Sequence, residues 1–498
     1  MVAPMNRQRE IADTGARRAR SGRGSWLTAA AIARIAGGEV LARGAAATGV
    51  TTDSRGDCGG KLFVALRGAK HDAHTFLAAA AQAGAAGLLV ERAPESLLGD
   101  RASGRGAPFL VRVADTGKAL LDLAAEHRRR HRAKVIGVTG SCGKTSTKEW
   151  LGAVLASVMP TVRSPGSFNN QIGVPLTLFG IEPDTRAAVV EIGTNAPGEI
   201  AQLTAVARPD VGIVTCVAPA HLEGLGSLEG VAREKAALPM GLPEEGLCIL
   251  NGDDAACRAM AETTKASVQL FSVTRQADWF ATDVRFHALG TTFLLQGERP
   301  VTLPRLGTHN VYNALAVIAA ASHLGVAEED VLRALAGVPS ASRRLEPKLA
   351  GGVTVFDDTY NMNPQSAAAA LQAMAGMSGA GRRIVVFGEM RELGEQSEAL
   401  HRTLGAEVAR TRQDLLLCVG DGTRPIADGA LAAGMPAAAV YQVDDQDAAL
   451  QMLRSVIRPG DRVLCKASRR VALDGLVDRL VAELGSGTNR GERCTEQG

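Results

Sequence analysis

The run Thr139-Gly140-Ser141-Cys142-Gly143-Lys144-Thr145 constrains the fold more than any other stretch of the chain. It follows Lys134-Val135-Ile136-Gly137-Val138, whose β-branched content reads as a buried strand. After it, Trp150, Leu151, Val154, Leu155 and Val158 fall on one face of a helix. Strand, glycine loop and helix in that order open a parallel βαβ unit. Glycines let successive backbone amides turn inward on phosphate oxygens, and the helix start adds the positive end of its dipole. In such a loop Lys144 reaches the β- and γ-phosphates and the Thr145 hydroxyl ligates Mg²⁺. Val138 stands where the longer GxxxxGK[ST] pattern has its first glycine, so the motif here is a compact GxxGKT. An ordinary glycine turn is the competing reading. Nucleotide binding by itself leaves kinase, motor, switch and ligase open.

The rest of the chain repeats the strand–helix alternation. Residues 25–132 hold apolar runs at 62–66 and 87–90 with an Ala-rich helical stretch at 76–83 between them, and end in the basic connector 126–132. Residues 133–339 add strands at 187–192 and 211–217 and a helical stretch over 229–238. Residues 340–485 carry apolar strands at 353–356, 384–387, 415–419 and 462–465, separated by helical patterns. The expected fold class is α/β with mostly parallel sheets in three domains, which a length of 498 residues accommodates. Residues 1–24 read as a disordered tail and 486–498 as a flexible one.

Charge and composition narrow the function. Six arginines in the first 24 residues, against Glu10 and Asp13, account for more than the whole net excess of +3, so the remaining chain is electrically balanced. Binding to nucleic acid by blanket phosphate neutralisation is therefore not expected, and 3% aromatic content argues against stacking on single strands. No apolar run is long enough for a transmembrane helix. Eight scattered cysteines without a CxxC pair signal neither a zinc site nor a disulfide framework, and point to reduced thiols in the cytoplasm. Only ten lysines accompany 45 arginines. Each retained lysine therefore raises the question of what arginine could not do there.

Several residues after the loop carry chemistry. Glu191 ends a strand, at the edge where ligands bind in open α/β sheets, and a carboxylate there can hold a nucleotide-bound Mg²⁺. Its alternative is a solvated strand end. His221 and Lys235, taken alone, read more readily as a structural histidine and a solvated helix lysine. The amide-rich stretches Ser167-Phe168-Asn169-Asn170-Gln171 and Asp357-Asp358-Thr359-Tyr360-Asn361-Met362-Asn363-Pro364 can be turns. The paired carboxylates after an apolar strand are less easily explained that way.

Taken in order, TGSCGKT, NNQIGVP, VVEIG, AHLEG with its following EK, GTHNVYNALA, RRLE and DDTYNMNP resemble the Mur ligases, ATP-dependent amide-forming enzymes of peptidoglycan synthesis. GVTTDSR, LFVALRGAKHDAHTF and GEMRELGE are similar to the member that adds a dipeptide in the last step. The resemblance spans about residues 26–480. It implies a UDP-sugar domain, a central P-loop domain holding ATP, and a C-terminal Rossmann-like domain binding D-Ala-D-Ala. It implies UDP-N-acetylmuramoyl-tripeptide and D-Ala-D-Ala as substrates, ATP with two Mg²⁺ ions, and a monomer.

By the same resemblance, Thr139, Gly140, Ser141, Cys142, Gly143, Lys144 and Thr145 form the ATP loop. Thr145 and Glu191 hold one Mg²⁺. His221 and a carbamylated Lys235 serve the second, a modification that a guanidinium does not undergo. Asn169 and Asn170 face substrate or phosphates, Asn313 lies near adenine, and Arg344 reaches the ATP phosphates on closure. Asp358 meets the ribose, Asn361 and Asn363 line the dipeptide side, and Ser54 and Arg55 contact uridine diphosphate. Three departures from the family pattern stand out: Asp72-Ala73-His74 for the usual DGH, Ala196 where a polar residue is common, and Cys216 where Asn is frequent. The DNPR element of the ligase that adds the third residue is absent. A folylpolyglutamate synthase would lack the DSR-bearing domain, and a P-loop switch would need no DDTYNMNP.

Overall fold

The computed structural model describes residues 25–68, 71–93, 107–287, 290–338, 342–377 and 379–491. The expected tail at 1–24 lies outside the described residues, as do 492–498. The chain divides into two compact units, residues 1–123 and 124–498.

The first unit is built on a five-stranded sheet. Its order is Glu39–Ala42, Phe109–Arg112, Gly87–Val90, Leu62–Val64, Val50–Thr51, and only the first of these runs antiparallel to its neighbour. Leu62, Phe63 and Val64 are all fully buried. Such unalternating apolar strands are what a parallel sheet covered on both faces requires.

The second unit contains two sheets. The larger has nine strands in the order Arg299–Leu303, Gly290–Leu295, Trp279–His287, Ser267–Ser272, Leu247–Asn251, Val211–Val214, Lys134–Thr139, Ala187–Glu191, Thr161–Arg163. Its strands are parallel except for the antiparallel run at Trp279–Leu303, which the sequence reading did not include. Helix Thr308–His323 packs on this sheet and is buried along most of its length. After Lys134–Thr139 the chain goes to one side for Thr161–Arg163 and Ala187–Glu191, and later adds Val211–Val214 on the other. The loop after Thr139 therefore opens at a topological switch point, where the connections diverge and leave a crevice.

The smaller sheet has the order Glu346–Ala350, Val353–Asp358, Arg462–Lys466, Arg383–Phe387, Leu415–Val419, Val440–Val443, parallel except at its first pair. Helices Ser397–Arg410 and Arg424–Ala432 meet closely on it because each offers a glycine. A Cβ at Gly405 would overlap the Ile426 carbonyl, and one at Gly429 the Arg402 carbonyl. Backbone cannot move aside as a side chain can. Gly405→Ala is expected to destabilise the protein by about 1–3 kcal/mol, measured as a lowered denaturation midpoint with an unchanged slope.

Two local expectations shift. Helix Lys144–Ala156 buries Trp150, Leu151, Val154 and Leu155 as the spacing requires, but it ends before Val158, which is 42% exposed. The last helix runs Asp474–Gly491, past the point where a flexible tail was expected to start. Its last buried apolar residue is Leu480, and the backbone stays helical beyond that anchor. Among the described residues no helix is long and apolar enough to cross a membrane.

Candidate active site

The carboxyl ends of both sheets in the second unit face one cleft of about 890 Å³. The glycine loop forms its floor. Gly140 and Gly143 take φ of +145° and +83°, conformations that disfavour a side chain. A Cβ would also overlap the Thr215 hydroxyl at Gly140 and the Asn313 amide oxygen at Gly143. Strand register explains what flanks the loop. Thr139 pairs with Val214, so Thr215 and Cys216 run beside Gly140–Cys142. The Ser141 hydroxyl donates to the Ala218 carbonyl at 2.9 Å and accepts from the Ala218 amide at 2.9 Å. The Lys144 ammonium donates to the Gly140 carbonyl at 2.6 Å.

Arg344 and Thr145 join the two sheets: the guanidinium donates to the Thr145 hydroxyl at 3.0 Å. Arg344 also lies 4.3 Å from the centroid of the Tyr360 ring, a cation–π contact that fixes its plane. The Tyr360 hydroxyl in turn meets Ser167.

Glu191 ends its strand 1% exposed. Asn169 donates to one of its oxygens at 2.9 Å, while the other is buried without a hydrogen-bond partner. A buried carboxylate oxygen left unpaired is costly unless a cation meets it. Among the described residues no cluster of three or more His, Cys, Asp or Glu side chains forms. A lone carboxylate beside a loop hydroxyl instead suits Mg²⁺, which keeps most of its shell for water and phosphate.

His221 sits at φ +55° and pairs through Nδ1 with Glu392 at 2.8 Å. Burial and the nearby Lys144 charge lower its pKa, against the pull of Glu392. Lys235, on helix Leu228–Met240, is 2% exposed and stands behind the cleft lining. No carboxylate pairs with it among the described residues. Its neighbour Glu234 is committed elsewhere, accepting from the Gly198 and Ile200 amides at 2.7 Å each and so capping helix Glu199–Ala207. Burial, reinforced by Lys144, brings the Lys235 amine down to about 7.

The other expected residues divide. Asn170 lines the cleft, but its side chain accepts from the Ile172 and Gly173 amides and starts helix Gly173–Phe179. Asn313 is buried beneath Gly143 and accepts from the Thr147 hydroxyl at 3.2 Å. Asn363 lines the cleft as the capping residue of helix Pro364–Gly376 and touches Cys142 at 3.2 Å. Asn361 accepts from Lys466 through its carbonyl at 2.9 Å. Both Asp358 oxygens are engaged, one by the Leu345 amide at 3.1 Å and one by Lys466 at 2.7 Å. Burial raises the Asp358 pKa more than Lys466 lowers it. As placed, Asp358 braces the cleft wall. Ser54 and Arg55 belong to the first unit, where Arg55 forms a two-pronged pair with Asp53 at 2.9 Å per contact and stays exposed.

Sequence reasoning missed Lys466, Tyr360, Glu392, Lys148, His309 and Asp253. The scarcity of lysine was a usable signal for two of them. Lys148 and Lys466 are both buried, the first holding the Ser164 and Gly166 carbonyls at 2.9 and 2.8 Å. His309 lines the cleft and is pushed down to about 4 by burial, so it is neutral at pH 7. Asp253 gathers Tyr312, Ser272 and the Val273 amide at 2.8 Å each, which folds the neighbouring strand ends into the cleft.

Comparison with known proteins agrees with this architecture. The Mur ligase middle domain matches residues 138–321, and the Mur ligase, glutamate ligase domain matches 343–469. The UDP-N-acetylmuramoyl-tripeptide--D-alanyl-D-alanine ligase of Mycobacterium tuberculosis is 38% identical, covering 92% of this chain and 98% of its own. The Escherichia coli protein of that name is 37% identical over 91% and 98%. Among solved structures, MurF from Acinetobacter baumannii superposes with a TM-score of 0.82 at 31% identity, over 92% of this chain and 99% of that one. The MurF ligase from Thermotoga maritima in complex with ADP gives 0.77 at 26%, over 87% and 97%. With the loop, the buried carboxylate and the bridging arginine all in place, and with relatives this similar along nearly their whole length, the chain belongs to the Mur ligase family.

Proposed function

We propose that this chain joins D-alanyl-D-alanine to UDP-N-acetylmuramoyl-tripeptide, with ATP converted to ADP and phosphate through an acyl phosphate. The observation that carries the reading is the Arg344–Thr145 contact, which brings a cation from beyond residue 340 onto the nucleotide loop of the other sheet. A carboxylate cannot expel hydroxide, so it must first be phosphorylated, and that step brings two anions together. Lys144 and Arg344 offset the repulsion and the charge that develops on the transferring phosphoryl group. The loop amides of residues 140–145 hold the phosphates, and Asn169 orients Glu191.

Thr145 and Glu191 would hold one Mg²⁺, and His221 with a carbamylated Lys235 would serve a second. When bound, these ions neutralise phosphate charge and polarise the reacting oxygens. The residues of the smaller sheet close over the loop and exclude water that would hydrolyse the acyl phosphate. Residues 340–485 would present the dipeptide along Asn361 and Asn363, while Ser54 and Arg55 of the 25–132 domain would hold the uridine diphosphate. The seven described cysteines are free, which suits a reducing cytoplasm.

The test is phosphate release from ATP and UDP-tripeptide, with and without D-Ala-D-Ala. Release is expected to depend on the dipeptide by an order of magnitude or more, and release indifferent to it would overturn the assignment. UDP-dipeptide with a free diamino acid should give no product. If it does, the related ligase acting one step earlier is the better reading.

A further inference from the structure

Cys142 and Cys216 face each other across the floor of the cleft, and nothing in the reaction above uses either thiol. Both line the cleft; Cys142 is half-buried on the loop, and Cys216 is buried on the segment after Val211–Val214. The parallel register that sets Thr139 against Val214 carries on to bring these residues together. The Cys216 sulfur accepts from the Cys142 amide at 3.3 Å and lies 3.7 Å from the Cys142 carbonyl oxygen. The Cys216 sulfur therefore lies against the backbone of Cys142 itself. Each sulfur has one further polar neighbour, Asn363 at 3.2 Å from Cys142 and Gln365 at 3.2 Å from Cys216. The other described cysteines, Cys58, Cys248, Cys257, Cys418 and Cys465, are buried and line no part of this cleft.

We propose that Cys142 and Cys216 are an oxidative modification site, at which a peroxide converts the pair to a disulfide that disables the nucleotide loop. The Cys142 thiolate attacks one peroxide oxygen. The O–O bond breaks, the sulfur becomes a sulfenic acid, and the other oxygen leaves as water after taking a proton. The Cys216 thiol then attacks that sulfur, its proton passing to the departing hydroxide, which leaves as a second water. The two thiols lose two electrons and two hydrogens, and the peroxide is reduced to water. A dithiol reductant reverses the change by exchange. Cys216, Asn363 and the Lys144 and Lys466 charges favour the thiolate at Cys142 against burial and hold it down to about 6, while Cys142 and burial push the Cys216 thiol up and keep it protonated. Cross-linking ties the loop to the neighbouring strand end and fixes the Cys142 amide against sulfur, so the loop can no longer wrap phosphate.

The functional consequence rests on the ATP reading; the cross-link does not. The full-length protein is treated with hydrogen peroxide, alone or with Mg²⁺–ATP, and its unreduced peptides are mapped by mass. A 142–216 cross-link is expected, slowed by ATP, with at least a tenfold loss of dipeptide-dependent phosphate release that dithiothreitol restores. In C216S, oxidation should stop at a sulfenic acid on Cys142, trapped by dimedone. Inactivation by the same peroxide dose, scored against each protein's own untreated rate, should not be reversed through a disulfide in that variant. Oxidation that leaves residues 142 and 216 unlinked overturns the proposal, as does a fully cross-linked protein that keeps its activity. Reduced protein without dipeptide-dependent release would instead sink the ligase assignment, while the mass map would still decide the fate of the pair.

Discussion

Lys144→Ala is expected to lower the rate of acyl phosphate formation by about 10²–10³-fold, the usual cost of removing one preorganised group that stabilises transition-state charge. Lys144 is the one cation that belongs to the loop itself, and its ammonium rests on the Gly140 carbonyl at 2.6 Å, at the mouth of the loop. The side chain contributes little to folding, since it donates to the Gly140 and Ser141 carbonyls of its own loop. Thermal stability should therefore stay close to that of the parent, and UDP-tripeptide should still bind, read by calorimetry without ATP. Phosphoryl transfer should be lost, read by single-turnover phosphate release. Loss of UDP-tripeptide binding together with activity would mean that the variant is misfolded.

Lys235→Ala is expected to cost at least about 10–100-fold, the range for loss of a group that helps to hold a metal site. The physical case is the state of the amine. A carbamate forms only from the neutral amine, and a lysine at its ordinary pKa of about 10.4 offers very little of that form at pH 7. Here burial, helped by Lys144, brings the pKa to about 7, and the adjacent carboxylate of Glu234 is turned away to cap another helix. The unprotonated fraction therefore rises as pH increases through 7, and activity should rise with it. Small carboxylic acids should partly restore Lys235→Ala by standing in for the carbamate. They should do nothing for Lys144→Ala. Near-normal activity of Lys235→Ala would show that no carbamate is needed.

The glycine loop was legible because its chemistry is local. The turn geometry, the amides and the lysine all lie within seven consecutive residues. Glu191 was legible for a similar reason, since a carboxylate closing a β-branched strand falls on the ligand edge of a parallel sheet. Arg344 was found only through the ordered set of motifs, whereas Asp357 and Asp358 stood out as paired carboxylates after an apolar strand. For Asn170 and Asn363 the sequence left a turn and a ligand-facing role both open, and Asn313 was found only through the resemblance. An asparagine that starts a helix and one that faces a ligand have the same side chain in the same kind of turn, and only the hydrogen bonds from Gly173, Thr147 and Ser366 separate the two.

The sequence by itself determined the alternation of strand and helix, the place of the nucleotide loop and the family, because periodicity, glycine spacing and motif order are properties of neighbouring residues. Only the tertiary structure decided which distant residues meet. Parallel register sets Asp358 against Lys466 and brings Cys216 beside Cys142. Packing of the smaller sheet against the larger brings Arg344 to Thr145 and Glu392 to His221. These pairs lie between 74 and 199 residues apart along the chain. Contacts at that separation are set by which strands adjoin and which faces are buried, and no local pattern records either.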